Sequence, residues 1–202
     1  MYQIILASES PRRKEIMETM GIPYQVMASN VKEEVMETVP DQMVQALARL
    51  KTETIKEQVK KKGNDRDIII IGADTMVFYE EHALGKPKDT IDAARMLRML
   101  SDRTHEVCTG VNIIIMKQGG SEESFSFAVC TKVVVNPLTE DQIQDYIATG
   151  EPMDKAGAYA IQGKFGIFIK EIEGDYYNIV GFPIAEIYAS LLLHGIDLKK
   201  LN

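Results

Sequence analysis

Two hydroxyl side chains and two arginines lie close together near the amino end, in the segment ASESPRRKEIM at 7–17. The apolar residues 4–6 before it predict a buried strand, and the proline within it predicts the first turn of a helix. A helix N-terminus presents free N–H groups and a positive dipole end, and guanidinium groups bind phosphate oxygens in pairs. This chemistry predicts a phosphate site formed by Ser8, Arg12 and Arg13. Two solvated arginines on a capped surface helix remain the alternative.

A second polar cluster follows the apolar run DIIIIG at 67–72, which predicts a central strand that delivers the sequence GADT as a loop. An aspartate at the end of such a strand, here Asp74, emerges where open sheets bind ligands. Its alternative role is to cap the following turn. Lys86, between a glycine and a proline, is a further candidate cation, although a lysine in a turn is usually only solvated.

A third candidate is the run DKAGAYAIQG at 154–163, which includes Gln162. Its small residues and weak periodicity fit neither a helix nor a strand, and they predict a backbone that approaches something closely. A loop over a ligand and a tight structural loop both have this composition.

The composition limits the ligand that these clusters could bind. A chain of 202 residues with 45% hydrophobic content can bury one sizeable core, or two lobes that share one. The net charge of −7 argues against broad binding to nucleic acid or to an acidic membrane. A polyanionic ligand would therefore be small and held by locally clustered cations.

Several common sites have no motif in this sequence. A P-loop, a dinucleotide-binding GxGxxG after a strand, HExxH and GxSxG are all absent. The three histidines are scattered, so any metal should be a hard ion bound by carboxylates and phosphate oxygens. Cys108 and Cys130 lack metal-site spacing, and two buried thiols are expected. With no signal-peptide pattern and no apolar run near ~18 residues, a cytoplasmic protein is expected.

Periodicity predicts strands and helices in alternation, then paired strands. The predicted strands are 2–7, 24–28, 67–72, a hairpin of 105–117 with 125–136, and a pair at 166–172 and 176–180. The predicted helices are about 11–20, 40–62, 90–100, 139–149 and 183–194. This order indicates a mixed sheet with helices on its faces, of α/β or α+β class.

Taken in order, the motifs resemble the Maf family of nucleoside triphosphate pyrophosphatases, known for septum formation. The resemblance covers about residues 3–192 and includes Glu33. It rests on ASESPRR, ALARLK, IIGADT, LGKPKD, MLRMLSDRTHEVCTGV, PMDKAGAYAIQG and GDYYNIVGFPIAEIY. The chain departs from the family at Asp102, where glycine is usual, at Leu50, where a charged residue is common, and at Thr52, where alanine is common.

The resemblance implies one Maf-like domain over 1–202, with a two-lobed α/β fold like that of inosine triphosphate pyrophosphatase. A mixed β-sheet with flanking helices would carry a nucleotide cleft between the lobes. It implies hydrolysis of a nucleoside triphosphate between the α and β phosphates, releasing a monophosphate and pyrophosphate, with Mg²⁺ or Mn²⁺ as cofactor. A homodimer would be unsurprising for this family.

The resemblance also assigns roles to particular residues. Asp74 matches the proton acceptor of the GADT motif. The positions that select dTTP and UTP in one branch of the family match Arg12, Thr75 and Gln162. Gln162 offers both a donor and an acceptor, which suits the alternating edge of uracil or thymine.

The chemistry of a triphosphate suggests roles for the remaining polar residues. The substrate carries nearly four negative charges, so its binding and its leaving group need cations and neutral donors. The candidates for contacting phosphate are Ser8, Arg13, Lys51 and Lys86. Glu33 is the candidate second carboxylate, either as a metal ligand beside Asp74 or to orient water. Asp74 itself is a base, a metal ligand or both.

Two other functions compete with this hypothesis. One is a nucleotide-binding regulator of septum formation that acts through a partner without turnover; the retained Asp74 and cations favour catalysis. The other is the 7-methyl-GTP branch of the same family, against which Gln162 and its flanking residues argue.

Overall fold

In the computed structural model, the described residues are 2–29, 31, 35–63, 66–80 and 82–201. Within them the strands are β1 Tyr2–Leu6, β2 Gln25–Val26, β3 Asp67–Tyr79, β4 His82–Leu84, β5 Thr104–Met116, β6 Glu122–Val135 and β7 Ile169–Glu173. The helices are α1 Pro11–Thr19, α2 Pro40–Lys62, α3 Thr90–Leu100, α4 Glu140–Ala148, α5 Tyr176–Val180 and α6 Ile184–Leu193. Short 3-10 turns cover Glu151–Asp154, Ala156–Ala158, Lys164–Phe168 and Leu198–Lys200.

The strands form one mixed sheet in the order β2-β1-β3-β5-β6-β7, with β4 paired to β3. β1 is parallel to both β2 and β3, whereas β3 with β4 and β6 with β7 are antiparallel. The predicted α/β class, a mixed sheet with flanking helices, is confirmed. Within the described ranges, no helix is both long and apolar enough to cross a membrane.

The third strand is longer than the sequence predicts. The GADT sequence was expected in a loop after Gly72, but β3 continues through Asp74 and Thr75 to Tyr79. The expectation was wrong because the apolar residues beyond GADT are themselves buried and find a partner strand. Val77, for example, lies opposite Leu84 of β4.

The segment Tyr176–Val180 was expected to be a strand and is the short helix α5. Its aromatic and β-branched composition favours a strand, but polar contacts override that preference. Asp175 Oδ1 accepts a hydrogen bond of 2.7 Å from the Tyr177 backbone N–H. The buried Asn178, within this turn of helix, donates to the Val107 carbonyl oxygen at 2.8 Å and to Thr131 Oγ1 at 2.8 Å.

The turn after α3 explains the departure from the family pattern at Asp102. This residue has a φ of 58°, in the left-handed region where glycine is most at ease. Aspartate tolerates that region better than most side chains, so the turn keeps its form.

The chain divides into two compact units. Unit 1 comprises Met1–Asp74, Thr109–Val129 and Gly181–Asn202, and unit 2 comprises Thr75–Cys108 and Cys130–Val180. In unit 1, α2 packs Ile55 and Val59 against apolar side chains of β1, β3 and β5, including Ile5, Ile70 and Ile114. In unit 2, the apolar face of α3 packs with α4 and with aromatic side chains of the segment after it.

The two cysteines are joined, which corrects the expectation of two free thiols. In the β5–β6 hairpin, the Lys117 N–H donates to the Ser121 carbonyl oxygen at 2.9 Å. The register that follows places Cys108 directly opposite Cys130, and their Sγ atoms form a disulfide with the Cα atoms 4.1 Å apart. Positions 22 residues apart in the chain thus become neighbours through strand pairing.

Candidate functional site

The segment between β1 and α1 is organised by one buried arginine. Arg13 and Ser8 are each only 8% exposed, and Arg13 Nη1 donates to Ser8 Oγ at 2.9 Å. Arg13 Nε donates to the Gly181 carbonyl oxygen at 2.8 Å, and the Ser10 N–H donates to Ser8 Oγ at 3.2 Å. The structure therefore brings Ser8 and Arg13 together, as the sequence predicts for one site. Two of Arg13's contacts hold the turn that leads into α1.

Arg12 occupies the second position of α1, beside Arg13, and its side chain is half-buried. Ser10 sits at the N-cap as expected, although its side chain makes no capping hydrogen bond. Glu33, the predicted second carboxylate, lies outside the described residues.

A buried ion pair joins α2 to β3. Lys51 Nζ lies 2.5 Å from Asp74 Oδ1, and each side chain is only 12% exposed. These residues are 23 positions apart in the chain, and the fold brings them into contact. Both were predicted to belong to the site. A charge removed from water is stable only beside a partner, so each of these groups fixes the position of the other.

Two glycines let α2 approach the sheet closely enough for this contact. A Cβ on Gly110 of β5 would lie 2.2 Å from the backbone carbonyl carbon of Val44 in α2. A Cβ on Gly72 of β3 would lie 3.1 Å from the carbonyl oxygen of Ala48. The backbone of α2 therefore occupies the space that side chains would need.

A buried polar network fixes α2 along its axis. Thr52 Oγ1 donates to Asn112 Oδ1 of β5, and Asn112 Nδ2 donates to Ser126 Oγ at 2.8 Å and to the Phe125 carbonyl oxygen at 3.0 Å. Thr52 and Asn112 are 0% and 1% exposed. Thr52 directly follows Lys51, so this network holds the turn of α2 that carries the paired lysine.

Unit 2 carries the remaining predicted residues. Thr75 follows Asp74 in β3 and is half-buried. Lys86 is exposed in the turn after β4, and the neighbouring Gly85 carbonyl oxygen accepts a hydrogen bond of 3.1 Å from the Gly157 N–H. Gly157 has a φ of 68° and packs against Val77, so it must be glycine for both conformation and space. The Lys86 turn and the DKAGAYAIQG segment are therefore adjacent.

Gln162 lies in a hydrogen-bonded turn, where the Gly163 N–H donates to the Ala160 carbonyl oxygen at 3.1 Å. Its side chain is exposed. The residues on either side contact Tyr146 of α4 and Glu151 of the following 3-10 turn. The sequence predicts Tyr146 within a helix and indicates no role for Glu151. The one available signal was the glycine directly after Gln162, which indicates a close approach.

A buried histidine contacts the DKAGAYAIQG segment at Tyr159. His105 is 2% exposed, and its Nε2 lies 2.7 Å from Tyr159 Oη. Burial lowers the pKa of His105 from 6.5 to about 4 and raises the pKa of Tyr159. The imidazole is therefore neutral near pH 7. The Tyr159 ring packs in turn on Phe165, with the centroids 4.9 Å apart.

The carboxylates of the described residues limit how a divalent cation could bind. Across the described ranges, no cluster of three or more histidine, cysteine, aspartate or glutamate side chains could hold a metal by protein ligands alone. Asp74 provides one carboxylate. Mg²⁺ commonly binds through one or two carboxylates together with substrate phosphates and water, so the residues present fit that mode of binding.

The chain is similar over nearly its full length to two curated proteins that share one name. A protein from Lachnoclostridium phytofermentans named dTTP/UTP pyrophosphatase is 50% identical over 200 residues, covering 99% of each chain. One of the same name from Agathobacter rectalis is 47% identical, covering 98% of this chain and all of the relative. Among solved structures, a HAM1 protein from Coxiella burnetii matches with a TM-score of 0.43 at 12% identity, over 96% of this chain and 100% of that one.

The family model described as Maf-like protein matches residues 3–193. That range includes all the residues that the sequence predicts for the site. The two relatives match this chain over at least 98% of its length, so the similarity also extends over the whole domain. The chain belongs to the family of Maf-like proteins.

Proposed function

We propose that this chain is a dTTP/UTP pyrophosphatase, which hydrolyses the bond between the α and β phosphates and releases a monophosphate and pyrophosphate. The observation that carries the proposal is the buried Lys51–Asp74 pair, at 2.5 Å, in a chain whose full-length relatives bear that name. The pair places a base and a cation together, and both are needed to hydrolyse a phosphoanhydride.

Asp74 is the proposed general base. Its carboxylate would accept a proton from the water that attacks the α phosphorus, while the bond to the β-phosphate oxygen breaks. The pyrophosphate that leaves carries the electron pair of that bond. Lys51 lies within reach of the same region, so its ammonium would neutralise charge as it develops.

Ser8, Arg12 and Arg13 are the proposed phosphate contacts of the α1 N-terminus, and Lys86 is a further one from the turn after β4. The half-buried Arg12 and the turn held by Arg13 support this assignment for the first group. Because Arg13 already bonds Ser8 and the Gly181 carbonyl oxygen, its contribution includes holding the donors of this turn in place.

A divalent cation, Mg²⁺ or Mn²⁺, is proposed as cofactor, held by Asp74 and by phosphate oxygens of the substrate. When bound, such an ion supplies Lewis-acid stabilisation of phosphate charge and makes a coordinated water more acidic. Glu33 is the second candidate ligand by sequence.

The choice of base is proposed to depend on Gln162, Thr75 and Arg12. An exposed amide in a fixed turn can donate to one atom of uracil or thymine and accept from the next. Cytosine presents a different donor and acceptor order, so the same amide position would bind it less well.

The test is pyrophosphate release from dTTP, UTP, CTP, ATP, GTP and 7-methyl-GTP with Mg²⁺ or Mn²⁺, for the wild type and for Asp74→Asn. We expect dTTP and UTP to be the preferred substrates and Asp74→Asn to lower kcat by about 10²–10⁴-fold or more. Orthophosphate in place of pyrophosphate would mean that a different bond is cleaved. Nucleotide binding without turnover would favour a regulator, and preference for 7-methyl-GTP would favour the sister branch.

A further inference from the structure

The segment that carries Gln162 is held at both ends by two side chains outside it. Tyr146 Oη accepts a hydrogen bond of 3.3 Å from the Ala160 N–H, and Glu151 Oε2 accepts one of 3.1 Å from the Lys164 N–H. The two side chains also bond each other, because Tyr146 Oη donates to Glu151 Oε1 at 2.8 Å. We call this arrangement of Tyr146 and Glu151 the Tyr–Glu clamp.

Gly163 shows how closely the segment is drawn onto the clamp. A Cβ at this position would lie 2.1 Å from Glu151 Oε1 and 2.4 Å from Glu151 Cδ. The φ of Gly163 is −100°, which any residue adopts, so a side chain here would be opposed only by the Glu151 carboxylate, which would have to move out of the clamp. The carboxylate therefore fills the position of the missing side chain beside Gln162.

Tyr146 of the clamp is buried in the core of unit 2 and Glu151 is half-buried, whereas the amide that they flank is exposed. The Tyr146 ring packs on Phe165 with the centroids 5.1 Å apart, and Tyr146 is 3% exposed. Burial, with Glu151 adding to it, raises the pKa of Tyr146, so the hydroxyl stays protonated and keeps donating to the carboxylate. Gln162 therefore projects from a turn whose backbone is held on one side by the buried Tyr146 and on the other by the half-buried Glu151.

We propose that the Tyr–Glu clamp is the positioning device for base discrimination: Glu151 and Tyr146 fix the backbone of the Gln162 turn, so that the amide reaches a pyrimidine edge from one place. The inference rests on the proposed function. Fixing the turn in advance reduces the conformational entropy lost on binding, and it limits how far the Gln162 backbone can shift to suit a different base. Glu151 and Tyr146 are thus positioning residues that act through Gln162.

The first variant is Glu151→Gln, which keeps the shape but leaves one acceptor oxygen for two donors. We expect the KM for UTP to rise about tenfold, as expected for the loss of one hydrogen bond to a charged group, with kcat within about threefold of wild type. The UTP to CTP ratio of kcat/KM should fall by a similar factor. Tyr188→Phe is the matched control, since it removes a tyrosine–carboxylate contact with Asp197 of 3.2 Å in unit 1. It should leave the ratio unchanged.

A double-mutant cycle separates positioning from general support of the fold. If the clamp acts through Gln162, Glu151→Gln should change the UTP to CTP ratio in the wild type but not in a Gln162→Ala background. Amide hydrogen exchange over 159–165 should rise in Glu151→Gln, which tests the clamp without reference to turnover. A fall in kcat that is equal for every nucleotide, or an unchanged ratio with faster exchange, would overturn the proposal.

The outcome also distinguishes failure of the proposed function from failure of the clamp. A wild-type chain that releases no pyrophosphate from any nucleotide removes the proposed function and the clamp's role with it. An active, discriminating wild type whose ratio is altered by Gln162→Ala but not by Glu151→Gln or Tyr146→Phe removes the clamp alone.

Discussion

The two compact units hold their candidate functional groups in opposite ways. In unit 1, Asp74 and Lys51 are themselves buried and fix each other through their charges. In unit 2, the candidate side chain of Gln162 is exposed, and the contacts that hold it are made by the backbone on either side.

The difference follows from what each group must do. A carboxylate that accepts a proton and an ammonium that neutralises phosphate act more strongly away from water, but burial is tolerated only for paired charges. An amide that recognises a base must keep its own donor and acceptor available, so its position has to be fixed through the main chain. Substitutions of Lys51 or Asp74 should therefore affect turnover of every nucleotide, and those around Gln162 should affect the choice among them.

The largest expected effect is on the charged pair. Lys51→Met should lower kcat for all nucleotides by about 10²–10³-fold, because it removes the cation that stabilises the leaving phosphate charge. Initial rates of pyrophosphate release from dTTP, UTP and CTP measure this. Lys60→Met, at an exposed lysine of the same helix that pairs with Glu122, should change these rates little. A fall in rate with only one of the three nucleotides would contradict a general role of Lys51 in turnover.

The next effect concerns the close approach of α2 to the sheet, which brings Lys51 to Asp74. Gly110→Ala should destabilise the protein by at least ~3 kcal/mol, because the new methyl group meets backbone atoms of α2 that cannot rotate away. Urea unfolding monitored by circular dichroism measures the change. Gly119→Ala is the control, because an added Cβ there would meet no atom within 4 Å. It should leave the stability nearly unchanged. Equal stability of the two variants would contradict the proposed contact.

The smallest expected effect is a dependence of stability on pH that arises in unit 2. Burial lowers the pKa of His105 from 6.5 to about 4, so between these values the unfolded chain binds a proton that the folded chain does not. The contribution of the neutral imidazole is present above pH 6.5 and is lost as the pH falls toward 4. Lowering the pH from 7.5 to 5 should therefore reduce the free energy of unfolding by ~2 kcal/mol through this group.

His105→Gln provides the comparison, because the amide can still bond Tyr159 but does not titrate. Its unfolding free energy should depend less on pH over this interval than that of the wild type, as measured in urea at both values. The same slope in both proteins would assign the effect to other groups.

Much of the fold was predictable because local patterns and long-range packing agree. The hairpin of β5 and β6, the long helix α2 and the helix α3 match their hydrophobic periodicity. The prediction failed where the two levels disagree. β3 extends past Gly72 because β4 offers it a partner, and α5 replaces a strand because Asn178 bonds to another part of the chain.

In the candidate site too, some residues could be predicted from the sequence and others could not. Residue type and position pointed to Arg13 and Asp74, because clustered cations and a strand-end aspartate each have a recognisable chemistry, and the family resemblance added Lys51 and the role of Gln162. The same reasoning did not find Tyr146 or Glu151. Their side chains contact backbone N–H groups 14 and 13 residues away, and such contacts leave no pattern in the sequence beyond a glycine beside the amide.

The sequence by itself determined the class of fold, the family and the kinds of chemical group available. Hydrophobic periodicity and ordered motifs are properties of short segments, so they can be recognised along the chain. Only the tertiary structure decided which groups meet. The pairing of Lys51 with Asp74, the bond between Cys108 and Cys130, and the clamp around Gln162 all depend on register and on the close approach of distant backbone. Those distances are set by packing in three dimensions, which residue type alone does not specify.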